Sequence, residues 1–348
     1  MLNSKKLLFH ALALICSVLL IIAVISAPAF LNGSEYNDSA KRQELAGQID
    51  YICCGASHAM NAFNPAVLDK ELNACTYNLS SASAYFHGRS LLLQKELDRN
   101  ESLDAVIIEV SFDSLAAKIK EGHATGEPYI ICKLDTVEEK FNYFAKHVDF
   151  FNNDYENISS VFMRYGLKAW KAMLCGEFGT IQSQKGFLAE NANDVSLSET
   201  EVVRKYHSDH SNYDFRQENT VHLEEMIKAC QTRNIPVIIT VVPVSESCIW
   251  ENTNMDVFSD QLKTLCQEND CMLLDFNLLK DRFKLFNDKQ SFSDKTHISI
   301  EGSEVFSKTF AEMIKKVNAD ENVEEYFYET YSDMMQHSEY MTIYQSQQ

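Results

Sequence analysis

The chain has 348 residues, 45% of them hydrophobic and 23% charged, an ordinary globular balance with enough apolar material for a large core. Its formal net charge of −19 argues against nucleic-acid binding, which needs a basic face to release counterions, and no Lys/Arg stripe offsets it. The length allows one large domain or two small ones.

Lys5 and Lys6 precede a mostly apolar run, "LLFHALALICSVLLIIAVISAPAFL" (7–31). At roughly 25 residues it is long enough to cross a ~30 Å hydrocarbon core. Lysines in front of it favour a cytoplasmic N-terminus (1–6) and a body carried outside. A cleaved signal peptide is the competing reading, since Ala27 and Ala29 supply small residues for a cleavage site. The run exceeds a usual signal core, so a single-pass anchor is preferred. Either way the body from residue 32 onward is expected outside the cytoplasm.

Four short runs rich in Val, Ile and Leu follow: "IDYICCG" (49–55), "DAVIIEVS" (104–111), "IPVIITVVP" (235–243) and "CMLLDF" (271–276). They do not alternate strictly, which suits strands buried on both faces. "ACTYNLS" (74–80) is a weaker fifth. Helical spacing recurs between them at 82–99, 218–234, 258–270 and 300–317. Strand–helix alternation predicts an α/β fold, a doubly wound parallel sheet, over 32–317. Residues 113–217 break the rhythm with many aromatics and are expected to form a mostly helical insertion between the third and fourth strands. The segment 318–348 is acidic and rich in Tyr, Met and Gln, and reads as a tail that either holds a short helix or is disordered.

Of ten cysteines, one lies in the apolar run, and several others (Cys53, Cys54, Cys132, Cys271) sit where a thiol acts as a small hydrophobe. No C-x-x-C pair occurs, which speaks against a zinc ribbon or a thioredoxin-type site. "KYHSDHSNYD" (205–214) holds His207, Asp209 and His210, potential zinc ligands without helical i, i+4 spacing, so a solvated loop is preferred. No metal or cofactor is expected. Asn32, Asn37, Asn78, Asn100 and Asn157 match N-x-[ST], a pattern that arises often by chance.

Two stretches carry chemistry together. Gly55-Ala56-Ser57-His58 follows the first strand, and Asp294-Lys295-Thr296-His297 follows the last. Loops after strand carboxyl ends gather at one rim of a parallel sheet, so about 240 residues of intervening chain are no obstacle. A serine hydroxyl needs a base to become nucleophilic. An imidazole can take its proton, and a carboxylate can hold the imidazole's tautomer. Taken singly, Ser57 reads as a helix cap, Asp294 as a cap or turn residue and His297 as a structural histidine. His58 is a first-turn residue, able to line a pocket but not placed to be the base of its neighbour.

Both stretches resemble motifs of the SGNH/GDSL hydrolase superfamily: Gly55-Ala56-Ser57-His58 its first block, Asp294-x-x-His297 its last. The phrase "DKTHISIEGSEVFS" is similar to cell-surface members, among them the D-alanine transfer protein type and polysaccharide O-acetyltransferases. The resemblance covers about 32–112 and 218–317. It implies Ser57 as nucleophile, His297 as base and Asp294 as its orienting partner. It further implies an extracytoplasmic esterase or acyltransferase acting on an envelope polysaccharide or polyol-phosphate polymer, with a membrane O-acyltransferase as partner. The chain departs from the family at the oxyanion donors. No glycine stands in the second block before Gly88, leaving a backbone N–H near Ser81, and Val110-Ser111-Phe112-Asp113 lacks the third block's Asn. Those losses motivate the alternative of an inactive scaffold on the same fold.

Overall fold

The apolar runs become five short strands: β1 (Tyr51–Cys54), β2 (Thr76–Asn78), β3 (Ala105–Glu109), β4 (Val237–Val241) and β5 (Met272–Asp275). Every residue of β1 to β4 is buried, which is why these segments do not alternate in polarity. All four pairings are parallel, in the order β2-β1-β3-β4-β5, the doubly wound order whose switch point lies between β1 and β3. This computed structural model describes residues 4–30, 38–117, 126–147, 166–167, 170–171, 174–175 and 184–348.

The helices in chain order are α1 (Ser4–Phe30), α2 (Ser39–Glu44), α3 (Ser57–Ala62), α4 (Pro65–Leu72), α5 (Phe86–Arg99), α6 (Glu127–Lys133), α7 (Val137–His147) and α8 (Glu199–Lys205). After these come α9 (Gln217–Gln231), α10 (Glu246–Glu251), α11 (Met255–Glu268), α12 (Arg282–Leu285), α13 (Ile300–Asn318), α14 (Tyr331–Met335) and α15 (Glu339–Ser346). The chain divides into two compact units, one of Met1–Ala40 with Lys120–Ser183, the other of Lys41–Ile119 with Gln184–Gln348.

In the first unit, Lys6–Ile25 of α1 is long and apolar enough to cross a membrane, with a mean hydropathy of 2.9 and none of it buried. Trp170 donates its indole N–H to the Val24 carbonyl at 3.0 Å. Lys133 at the end of α6 forms a buried ion pair with Asp38 at 3.0 Å. Between α7 and α6, Tyr143 donates to Glu127 at 2.5 Å.

The second unit contains the sheet. One face carries α3, α4 and α13 over Tyr51, Cys53, Ile107, Ile238 and Leu274. The alternate residues Ile52, Cys54, Val106, Ile108 and Ile239 are equally buried and point to the face where α5 and α9 pack together. Asn78 is fully buried, donating to the Ala59 and Phe63 carbonyls at 2.9 Å, and Asn100 is buried too. Neither can accept a glycan, and Asn32, Asn37 and Asn157 lie outside the described residues. No disulfide joins any of the ten cysteines.

Two expectations need correction. Among the described residues, 113–217 is not a mostly helical insertion. It is helical at α6, α7 and α8, but 184–198 runs as largely irregular chain, and Gln184 onward belongs to the sheet unit. Parts of it, including Phe150, Phe151, Tyr155, Phe162 and Tyr165, lie outside the described residues. Nor is 318–348 a disordered tail; it takes the helical alternative, with the short helices α14 and α15. Its aromatic and Met side chains are core material: Tyr331, Met334 and Tyr340 are buried. Tyr331 donates to Asp275 at 2.9 Å, and Tyr340 donates to Asp288 at 3.0 Å while accepting the Leu197 N–H at 2.8 Å.

Candidate active site

Ser57 opens α3 directly beyond the end of β1. The turn is tight because Gly55 is squeezed between its neighbours. A Cβ there would lie 2.5 Å from the Ala59 Cβ and 2.5 Å from a Glu109 carboxylate oxygen. Only glycine lets α3 start this close to β3. The Glu109 side chain, wholly buried at the end of β3, accepts the Ala56 N–H at 3.0 Å and so fixes the residue before the serine.

The other half of the site is a small closed loop. Phe292 and Ile298 bridge in antiparallel fashion, both buried, and Ser293 N–H donates to the His297 carbonyl at 2.9 Å. Inside the loop one Asp294 oxygen accepts the N–H groups of Thr296 and His297, each at 2.8 Å. Ser299 then caps α13 by accepting the Gly302 N–H at 3.0 Å. Gly302 is required here as well, because a Cβ would meet the Ser291 carbonyl oxygen at 2.2 Å. Lys295 ties the loop sideways: its ammonium bonds Glu251 of α10 at 2.7 Å and its carbonyl accepts the Ser245 N–H at 3.0 Å.

An aromatic cluster clamps the two halves together. Phe63, just after α3, packs edge-on against Phe306 and Phe310 of α13 at 5.2 and 5.1 Å between ring centroids. Ser307 donates to the Ala62 carbonyl at 3.0 Å and accepts the Asn64 N–H at 3.0 Å. The result joins chain positions 240 residues apart. Ser57 Oγ lies 2.8 Å from His297 Nε2, and His297 Nδ1 lies 2.8 Å from the nearer Asp294 oxygen. Both His297 and Asp294 keep solvent access, with 26% and 59% of their side chains exposed. Burial works against the Asp294 charge, yet the His297 imidazole and the Thr296 and His297 N–H groups hold its carboxyl well below the usual range. The carboxylate is therefore ionised at any physiological pH and accepts from Nδ1, which leaves Nε2 to accept the serine proton.

His58 occupies the first turn of α3, buried, with its ring centroid 4.7 Å from that of His297 and 6.4 Å from that of Phe112. Its Nδ1 faces Glu109 at 3.8 Å, an electrostatic contact too long for a hydrogen bond. Arg89 stands 4.0 Å from the other Glu109 oxygen. Burial disfavours both charges, but each is sustained by the other. Glu109 raises His58 above its ordinary value, while His58, Arg89 and the Ala56 N–H hold Glu109 below its own.

Ser81 needs a correction as an oxyanion donor. Its N–H is already spent on the Gly55 carbonyl at 3.1 Å, and its hydroxyl is buried without a partner. The Phe112 side chain has no donor and stacks on His58 instead. His207, Asp209 and His210 do not converge: among the described residues no cluster of three metal-ligating groups occurs. His207 lies stacked on Tyr206 at 4.0 Å, and Asp209 is occupied by Ser211. Glu109 and Arg89 escaped the sequence reading. The available signal was a lone acid closing the apolar run "AVIIE", a position where a buried charge must have partners.

The fold and the site together define an α/β protein with a five-stranded parallel sheet that brings a serine, a histidine and an aspartate into line at the strand carboxyl ends. The model of a family described as "Protein of unknown function (DUF1574)" matches residues 35–317, and the chain belongs to that family. No curated protein matches the chain.

Proposed function

We propose that the chain is an SGNH-type serine esterase or O-acyltransferase of the cell envelope, held to the membrane by α1 with its sheet unit on the extracytoplasmic side. The observation that carries this reading is the hydrogen-bonded line from Ser57 Oγ through His297 to Asp294. Ser57 Oγ attacks an acyl carbonyl carbon while its proton passes to His297 Nε2. The tetrahedral adduct collapses, and His297 returns the proton to the departing alkoxide, leaving an acyl-serine. Water or a sugar or polyol hydroxyl then gives its proton to His297 and takes the acyl group by the reverse steps. Asp294 stabilises the imidazolium that forms in each half.

An O-acylated envelope polysaccharide or teichoic-acid-like polymer suits a site that is open at His297 and Asp294 and belongs to a chain with a membrane-length apolar helix. A membrane O-acyltransferase is the proposed source of acyl groups. No cofactor is needed for this chemistry. The spent Ser81 N–H and a Phe112 side chain without a donor favour a second reading, an inactive envelope scaffold on the same fold. A fluorophosphonate probe decides between them. The esterase reading expects a covalent adduct on Ser57 that is lost in Ser57→Ala and at least 10²-fold slower in His297→Ala. A folded wild-type protein that takes no probe would leave the scaffold.

A further inference from the structure

Any acyl transfer at Ser57 develops a negative oxygen beside α3, and donors near Ser57 other than the base His297 must meet it. The Ser81 N–H is unavailable, and Arg89 is committed beneath the site to Ala84 and Glu109. The amides of Ser57 and His58 open a helix, where no backbone acceptor lies within reach along the helix. Besides the buried, unpartnered Ser81 hydroxyl, the side chain that remains is His58. It follows the nucleophile directly and lies against the ring that hydrogen-bonds Ser57. With Nδ1 turned to the buried Glu109 carboxylate, Nε2 is the ring nitrogen left to act at Ser57.

Resting on the serine-esterase reading, we propose that His58 is a second working imidazole of this site, an imidazolium backed by Glu109 that donates from Nε2 to the oxyanion of the tetrahedral intermediate. As the Ser57 Oγ–carbon bond forms, the carbonyl π pair moves onto oxygen and is met by the His58 N–H and the Ser57 amide. On collapse the pair returns, the leaving group departs with the proton held on His297, and His58 keeps its own proton throughout. Two His–carboxylate pairs thus flank Ser57 with opposite duties, His297–Asp294 as base and His58–Glu109 as electrophile. The groups that set the His58 charge are Glu109 on β3, Asp113 in the loop after it, Asp294 and His297 in the facing loop, and Arg89 of α5 behind Glu109. The carboxylates favour its proton, and burial and the two basic neighbours oppose it.

The test is the rate of fluorophosphonate labelling of Ser57 against pH, on detergent-solubilised full-length protein checked for folding by circular dichroism. Wild type should lose rate at high pH as His58 deprotonates. His58→Gln should be about 10²-fold slower and lack that limb, because an amide donates without titrating. Glu109→Gln keeps an acceptor for the Ala56 N–H but removes the anion, so its alkaline limb should move to lower pH. A merely structural His58–Glu109 pair would not move the limb. Labelling of His58→Gln at the wild-type rate and pH profile overturns the proposal. So does a limb that stays in place in Glu109→Gln, and this second variant decides the matter if His58→Gln fails to fold. A hundredfold loss in Ser81→Ala with none in His58→Gln would assign the donor to the Ser81 hydroxyl instead. Absence of any label on wild-type Ser57 would sink the parent reading, and this one with it.

Discussion

Gly55→Ala tests the closeness on which the whole site depends. The added Cβ would stand 2.5 Å from the Ala59 Cβ, 2.5 Å from a Glu109 oxygen and 2.8 Å from the Glu109 Cβ. Two of those atoms are anchored directly to backbone, one in α3 and one in β3, and neither can swing aside. Overpacking of this kind costs about 1–3 kcal/mol, and three contacts under 3.0 Å place it at the upper end. At about 2–4 °C per kcal/mol for a unit of this size, the midpoint should fall by about 6–12 °C. Thermal unfolding of the solubilised protein followed by circular dichroism reads this directly. Gly47→Ala is the control: Gly47 has φ +73° with nothing within 4 Å, so only left-handed backbone strain of about 1–2 kcal/mol applies. Adding Ala59→Gly to Gly55→Ala removes one of the three clashes and should recover part of the loss, a positive coupling in the double-mutant cycle. A Gly55→Ala midpoint within about 2 °C of wild type would mean that β1, β3 and α3 do not approach as described. The placement of Ser57 would fall with it.

Other outcomes follow from the same geometry. Asp294→Asn keeps its oxygen on the Thr296 and His297 N–H groups and so presents its NH2 as a donor to His297 Nδ1, favours the tautomer with its proton on Nε2, and should slow probe labelling of Ser57 by about 10²–10⁴-fold without changing the melting temperature by more than a few degrees. Burial pushes the Asp275 carboxyl up to about 6, so the folded state holds that proton more tightly than the unfolded chain. Its contribution is therefore most favourable below about pH 4 and is lost as pH rises through about 6; melts of Asp275→Asn should be flatter across that window by on the order of 2–3 kcal/mol. Tyr340→Phe removes the hydroxyl shared by Asp288 and the Leu197 N–H and should cost about 1–3 kcal/mol in urea unfolding. Removing residues 319–348 should be far worse, since the buried Tyr331, Met334 and Tyr340 go together; a truncated chain as stable as the full one would refute this packing role.

The sequence by itself determined the sheet. "DAVIIE" and "PVIITV" have no other economical place than between two helical layers, and the strands fall within a few residues of those runs. It also marked Ser57, Asp294 and His297, because Gly-x-Ser at a strand end and Asp-x-x-His before a capped helix are local patterns. Their meeting was not local. It is decided by Phe63 packing on Phe306 and Phe310, a contact that no window of sequence contains. Glu109 read as one more strand residue, and only the sheet put it under both Ala56 and His58, where burial turns an ordinary acid into the electrostatic partner of an imidazole. Ser81 and the final thirty residues misled for the same reason. Whether an N–H is spent or a tyrosine is buried depends on what tertiary packing brings against it, and a composition cannot state its neighbours.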